Sequence, residues 1–177
     1  QQTMQLQKLL PDYVVKFAMS YSDPLISDVL TEFEAVKVAD LTIIPLYPQY
    51  STTTVGSVAN DINRFFYRRS IIPNLHLITD FCDFKPYIQA LAKKIAASLA
   101  EFKPDLLLLS YHGIPKSYVA KGDPYQQRCE LTTKLLLTEL KTQVPVKQTY
   151  QSRLGPDEWL TPATDATLKT LPAQGVK

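Results

Sequence analysis

Hydrophobic residues along the chain follow two spacings, one typical of strands and the other of helices. Short apolar runs rich in β-branched residues predict strands at 13–19, 41–46, 75–81, 105–110 and 146–150. Between these runs apolar residues recur three and four positions apart, which predicts amphipathic helices that begin near Pro24, Ser51, Pro86, Asp123 and Ala163. Strands that alternate with helices through short connections indicate parallel strands and right-handed crossovers, so the predicted fold class is α/β.

The loops that follow the predicted strands are the expected place for a ligand. In open parallel sheets ligands bind beyond the carboxyl ends of the strands, which here selects the loops at 47–51, 111–115 and 151–155. The run of four leucines at 106–109 predicts a strand buried on both faces. Five strands fit one sheet or parts of two, and Pro73 suggests a boundary between lobes at 1–72 and 73–177.

Composition narrows the class of protein. A hydrophobic share of 45% and a charged share of 20% are typical of globular proteins, and a net charge of +2 argues against a nucleic-acid partner. No apolar run reaches the roughly 18 residues of a membrane span, although a peripheral membrane contact stays open. The missing signal-peptide pattern and the two cysteines favour a cytoplasmic location. Because Gln1 is not an initiator, we expect an internal fragment.

His112 is the candidate chemical group. It lies in the segment SYHGIP, directly after a predicted buried strand, with Gly113 and Pro115 shaping the turn behind it. Imidazole titrates near pH 6.5 in its ordinary surroundings, so it suits both metal binding and proton transfer. A histidine that merely ends a strand and bonds a carbonyl is the alternative, and position alone does not separate the two.

Several longer segments resemble those of ferrochelatases, in the family's order. They are PLYPQYSTTTVGS at 45–57, SYHGIP at 110–115 with KGDPY at 121–125, and TYQSRLG at 149–155 followed by EWL at 158–160 and PATD at 162–165. MSYSDP at 19–24 matches more weakly. The chain as a whole therefore resembles a ferrochelatase of bacterial type, as an internal fragment that lacks both ends.

The resemblance implies a fold, a reaction and a set of residues. The expected fold has two Rossmann-like lobes with parallel sheets flanked by helices, the first lobe being incomplete. The expected reaction inserts Fe²⁺ into protoporphyrin IX to form protohaem in haem biosynthesis, so porphyrin and Fe²⁺ are the expected partners. His112 corresponds to the family's proposed metal ligand or proton acceptor, and the resemblance does not choose between these roles. Porphyrin contacts are expected from Tyr21, Ser51, Ser152 and Trp159, each of which could instead serve its own loop.

The chain departs from the family pattern at two positions. Ser20 stands where the family has an arginine, so one basic contact is missing. Thr52 stands where animal-type members have a cysteine that binds an iron–sulfur cluster, so no cluster and no other cofactor are expected in this segment. The family's glutamate opposite the histidine is expected beyond Lys177. We therefore expect the 177 residues alone to have little or no chelatase activity.

Two other functions compete with this interpretation. A sirohydrochlorin-type chelatase shares the two-lobed layout, although the QYS and EWL segments argue against it. A non-catalytic porphyrin- or metal-binding module would explain the missing carboxylate. A nucleotide-binding domain is disfavoured, because the five glycines form no phosphate-binding pattern. We interpret His76, Cys82 and Cys129 as structural residues.

Overall fold

The computed structural model describes residues 1–176 and confirms the predicted α/β class, with helices around two small parallel sheets. The chain divides into two compact units. The first contains Gln1–Leu46 and Thr52–Thr79, and the second contains Tyr47–Ser51 and the chain from Asp80 onward. A five-residue loop therefore belongs to one unit while the residues on both sides of it belong to the other.

The first unit contains three helices and a two-stranded parallel sheet. Its elements are α1 (Gln2–Leu9), α2 (Ile26–Ala35), β1 (Asp40–Ile43), α3 (Val55–Phe66) and β2 (Asn74–Leu77). β1 and β2 are parallel, with Leu41 opposite Leu75. The core lies between the sheet and helices α2 and α3, and its buried residues are Leu30, Leu41, Val58, Ile62, Phe65 and Phe66.

The second unit repeats this layout. Its elements are α4 (Lys85–Phe102), β3 (Leu107–His112), α5 (Lys116–Ala120), α6 (Tyr125–Leu140), β4 (Val146–Gln151), α7 (Thr164–Thr170) and a 3₁₀ turn (Pro172–Gln174). β3 and β4 are parallel and end together, with His112 opposite Gln151. Pro86 lies in the first turn of α4, where its missing N–H costs nothing. The core of buried residues comprises Ile114, Tyr125, Cys129, Tyr150 and Leu160.

Several sequence predictions need correction. Residues 13–19 are not a strand, because within the described chain they find no ladder partner beyond a single bridge between Met19 and Leu25. The leucines of β3 are half-buried rather than buried on both faces. β2 pairs with β1 and belongs to the first compact unit, and the predicted lobe boundary at Pro73 stays a prediction.

None of the helices in residues 1–176 is long and apolar enough to cross a membrane. The longest, α4, has 18 residues and carries charged side chains such as Lys93, Lys94 and Glu101 along its length.

Candidate functional site

The candidate site is built where β3 and β4 end. His112 is the last residue of β3, and the N–H of Gly113 donates to the carbonyl of Gln151 at 2.7 Å, which extends the ladder by one bond. The imidazole is exposed and makes no hydrogen bond to any residue in the described part of the chain. The alternative in which His112 bonds a carbonyl is therefore not what the structure shows.

Gly113 is required by close contacts rather than by an unusual backbone angle. A Cβ at this position would lie 2.8 Å from the carbonyl oxygen of Gln151 and 3.2 Å from Cε3 of Trp159. The chain after Gly113 then pairs with the segment that carries the tryptophan, through a bridge between Pro115 and Trp159. The glycine therefore lets the Trp159 indole pack directly beside the residue that follows His112.

A hollow of about 250 Å³ opens next to these residues, and Gly113, Gln151, Arg153 and Trp159 are among those that line it. Pockets that enclose a drug-sized ligand measure about 300–1,000 Å³, so this hollow is too small to enclose a macrocycle. The indole N–H donates to the carbonyl of Leu154 at 2.9 Å. Trp159 therefore closes its own turn and at the same time borders the hollow.

The strand face that carries His112 is lined by hydroxyl groups. Ser110, two residues earlier in β3, shares this face, and its Oγ lies 2.8 Å from Oγ1 of Thr164. Thr164 in turn donates to Oγ1 of the fully buried Thr149 at 2.9 Å. Ser110 Oγ also lies 3.3 Å from Oε1 of Gln151, the residue opposite His112. These bonds join β3, β4 and α7 beneath the imidazole.

The opposite face of the two strands holds a phenol network. The Tyr111 hydroxyl lies 3.0 Å from Oγ1 of Thr133, which donates to Oε1 of Gln148 at 2.6 Å, and Gln148 Nε2 donates to the Tyr150 hydroxyl at 2.7 Å. Burial raises the pKa of Tyr150 to about 12 and raises the pKa of Tyr111 as well. Both phenols therefore stay protonated near neutral pH.

The structure places the remaining predicted residues in different surroundings. Ser51 lies in the second unit, fully buried, and donates to Oδ2 of Asp123 at 2.9 Å. Ser152 is exposed and has a left-handed φ of 69° directly after β4. Tyr21 belongs to the first unit, where its exposed hydroxyl lies 3.3 Å from Oγ of Ser57. Their porphyrin contacts, and that of Trp159, stay predictions.

Asp80, Cys82 and Asp83 lie close enough together for a metal ion, but the Asp80 carboxylate already has other partners and the Cys82 thiol is buried. The Asp80 carboxylate accepts from the backbone N–H groups of Tyr50 and Cys82 and pairs with Arg128 at 3.2 Å. Burial raises the pKa of Cys82 to about 12, so its sulfur is a protonated thiol. Because metals bind the thiolate, this cluster is poorly suited to a metal ion.

The structure thus shows a parallel α/β unit with an exposed histidine at the carboxyl edge of its strands. Comparison with known proteins gives the family. The sequence model of the family described as Ferrochelatase matches residues 1–177. The chain therefore belongs to the ferrochelatase family.

Two relatives illustrate the match. The chain is 44% identical to a coproporphyrin III ferrochelatase of Enterococcus faecalis over 172 residues, which is 97% of this chain and 55% of that protein. It is also 44% identical to a ferrochelatase of Escherichia coli O45:K1, covering 99% of this chain and 56% of that protein. The chain thus spans a little over half the length of these relatives.

Proposed function

We propose that the protein carrying this chain inserts Fe²⁺ into protoporphyrin IX to form protohaem, with His112 as its central chemical group. The observation that carries the proposal is the unbonded, exposed imidazole at the end of β3, in a chain that matches the ferrochelatase family over all its residues. The sirohydrochlorin and non-catalytic alternatives have no comparable support.

The reaction exchanges two pyrrole protons for one metal ion, so protons must leave as Fe²⁺ enters. A neutral imidazole has one lone pair, with which it can accept a proton or bind the incoming iron. Imidazole is also a suitable ligand for Fe²⁺. The hydrogen bonds of Ser110 support the end of the strand from which the imidazole projects.

The substrate has a second candidate, because one relative carries the name coproporphyrin III ferrochelatase. Protoporphyrin IX and coproporphyrin III differ in the number of carboxylate side chains, and Arg153 is a basic group at the hollow. Anaerobic metallation of each porphyrin by the full-length protein decides between them. A higher kcat/KM for protoporphyrin IX supports the proposal. A higher kcat/KM for coproporphyrin III contradicts it and makes coproporphyrin III the substrate instead.

We also propose that this segment holds no iron–sulfur cluster and works in the cytoplasm without other cofactors. Both cysteines are fully buried, and burial raises the pKa of each, that of Cys129 also to about 12. A cluster needs thiolate ligands, which these two thiols are poorly placed to supply. Iron analysis of the purified protein and cell fractionation test the two statements.

The role of His112 is tested by His112→Ala in the full-length protein, with His76→Ala as the matched control. His76 is the other histidine of the chain and lies exposed on β2. We expect His112→Ala to lower kcat by at least about 100-fold, the size of a lost acid–base group, while porphyrin binding changes little. Retained metallation would remove His112 from its central role.

We further propose that the 177 residues alone turn over little porphyrin, since they span only a little over half the length of the ferrochelatases that they match. A metallation assay on the isolated chain measures this directly, and near-normal turnover contradicts it.

A further inference from the structure

The loop Tyr47–Ser51 is held inside the second unit by buried polar contacts. The hydroxyl of Ser51 donates to Oδ2 of Asp123 at 2.9 Å, and these two side chains are 0% and 6% exposed. Asp123 belongs to the KGDPY segment, to which the proposed reaction assigns no task. A carboxylate this buried is costly unless it is hydrogen-bonded, so its partners indicate its role.

The Asp123 carboxylate is itself fixed in place. Its Oδ1 accepts from the backbone N–H of Tyr125 at 3.0 Å, at the first residue of α6. One carboxylate thus joins the beginning of this helix to the loop, with one oxygen for each. Hydrogen bonds to an ionised carboxylate are stronger than those between neutral groups, which suits this link to an anchoring role.

A second contact lies two turns along the same helix. Gln49 Nε2 donates to Oγ1 of Thr132 at 2.9 Å, and Thr132 is fully buried, with its hydroxyl also 3.0 Å from the carbonyl of Cys82. The loop backbone adds a bond from the N–H of Phe81 to the carbonyl of Pro48 at 2.9 Å. The loop is therefore tied at its middle and at its end.

We infer that Asp123 and Thr132 are positioning residues that hold the Tyr47–Ser51 loop in the shape that receives the porphyrin, with Ser51 as its buried anchor. This inference rests on the proposed chelatase function. A fully buried Ser51 hydroxyl faces Asp123, whereas Tyr47 at the other end of the loop is 43% exposed and available to a ligand. Loosening the loop should therefore weaken porphyrin binding and leave the metal step nearly unchanged.

The test measures steady-state metallation by the full-length protein with porphyrin and Fe²⁺ varied separately. Ser51→Ala and Thr132→Val each remove one contact, and we expect each to raise the KM for porphyrin about tenfold, with kcat and the KM for Fe²⁺ within twofold. Thr132→Ser keeps the hydroxyl and should restore the normal KM. Thr138→Val is the matched control, because its exposed hydroxyl bonds only the Lys134 carbonyl of its own helix.

Asp123 is tested by Asp123→Asn, which can still accept from Tyr125 and donate to the Ser51 oxygen. We expect Asp123→Asn to keep the porphyrin KM within threefold of normal and Asp123→Ala to raise it at least as much as Ser51→Ala does. If Asp123→Ala does not fold, the porphyrin KM values of Ser51→Ala and Asp123→Asn still show whether Asp123 anchors the loop. A normal porphyrin KM in both Ser51→Ala and Thr132→Val overturns the inference, as does a fall in kcat at unchanged KM.

Hydrogen exchange separates this inference from the proposed function. Amide exchange in the peptide covering 47–51, measured in the absence of substrate, should quicken at least fivefold in Ser51→Ala but not in Thr138→Val. Faster exchange in a protein without metallation activity refutes the proposed function while leaving the anchoring intact. Unchanged exchange in Ser51→Ala refutes the anchoring, whatever the activity.

Discussion

Replacing Gly113 by alanine adds one methyl group at the most crowded point of the candidate site. The new Cβ would lie 2.8 Å from the Gln151 carbonyl oxygen, whereas ordinary contacts begin at 3.4 Å, so the two must separate by about 0.6 Å. The hydrogen bond from the Gly113 N–H to the same oxygen measures 2.7 Å and would lengthen toward about 3.3 Å, beyond the usual range of about 2.7–3.2 Å for an N–H···O bond.

The cost follows from these two effects. Losing one backbone hydrogen bond costs about 1 kcal/mol, and inserting a methyl group into a packed site costs about 1–3 kcal/mol. We therefore expect Gly113→Ala to lower the free energy of unfolding by about 2–4 kcal/mol. His112 ends the strand whose last bond is lost, so kcat of the full-length protein should fall as well.

Urea denaturation measures the free energy of unfolding, and the fluorescence of Trp159 reports the local change. Trp159 is the one tryptophan of this chain, and its Cε3 lies 3.2 Å from the new methyl group, so its emission should shift in the folded variant. Gly175→Ala is the control, because φ there is 75° and nothing lies within 4 Å. It should cost about 1–2 kcal/mol through the backbone alone and leave the emission unchanged. A Gly113→Ala protein with normal stability and normal emission would refute the reasoning.

Three other predictions concern stability. Burial raises the pKa of Cys82 and Cys129 to about 12, so the unfolded chain loses these two protons at lower pH than the folded protein does. The contribution of the two thiols to the free energy of unfolding should therefore be fully present below pH 9 and decrease between pH 9 and 12. Ser152→Gly should raise the free energy of unfolding by about 0.5–1 kcal/mol, since glycine adopts the positive φ without strain. Thr133→Val should lower it by about 1–3 kcal/mol by breaking the bonds to the phenol network, whereas Thr138→Val should change it by less than about 0.5 kcal/mol.

Chemical denaturation checks all three. The first is contradicted if replacing both cysteines by alanine leaves the decline between pH 9 and 10 as steep as before. A loss of stability in Ser152→Gly contradicts the second. Equal stability of the two threonine variants contradicts the third.

Most of the secondary structure could be predicted from local patterns in the sequence. The helices α2, α3, α4, α6 and α7 and all four strands were predicted, most of them because apolar residues recur in them at a fixed spacing. Helix α7 is an exception, since the residue that it buries is Thr167. Helix α1 was missed because it buries no residue and so shows no such pattern. Residues 13–19 were wrongly predicted as a strand, because a strand depends on a partner that is distant in sequence and that local composition does not reveal.

The residues of the candidate site also fall into two groups, those that local sequence reveals and those that only the fold brings together. His112 could be found from its place after an apolar run and before a glycine, both of which are local signals. The hydroxyls of Ser110, Thr149 and Thr164 have nothing unusual in sequence, and only the pairing of β3 with β4 brings them together. Ser51 and Asp123 are 72 positions apart, so their bond could not be predicted from spacing.

The loop Tyr47–Ser51 also sets an order of events during synthesis. Its partners in the second unit are 72 and 83 residues further along the chain for Ser51 and Gln49. At about 5–20 residues per second a ribosome needs roughly 4–17 seconds to produce the residues between the loop and these partners. During this interval β1 and β2 can pair, whereas the loop between β1 and α3 still lacks its hydrogen-bond partners Asp123 and Thr132. A pause by the ribosome within that stretch would prolong this interval, so translation speed there bears on the yield of correctly folded protein.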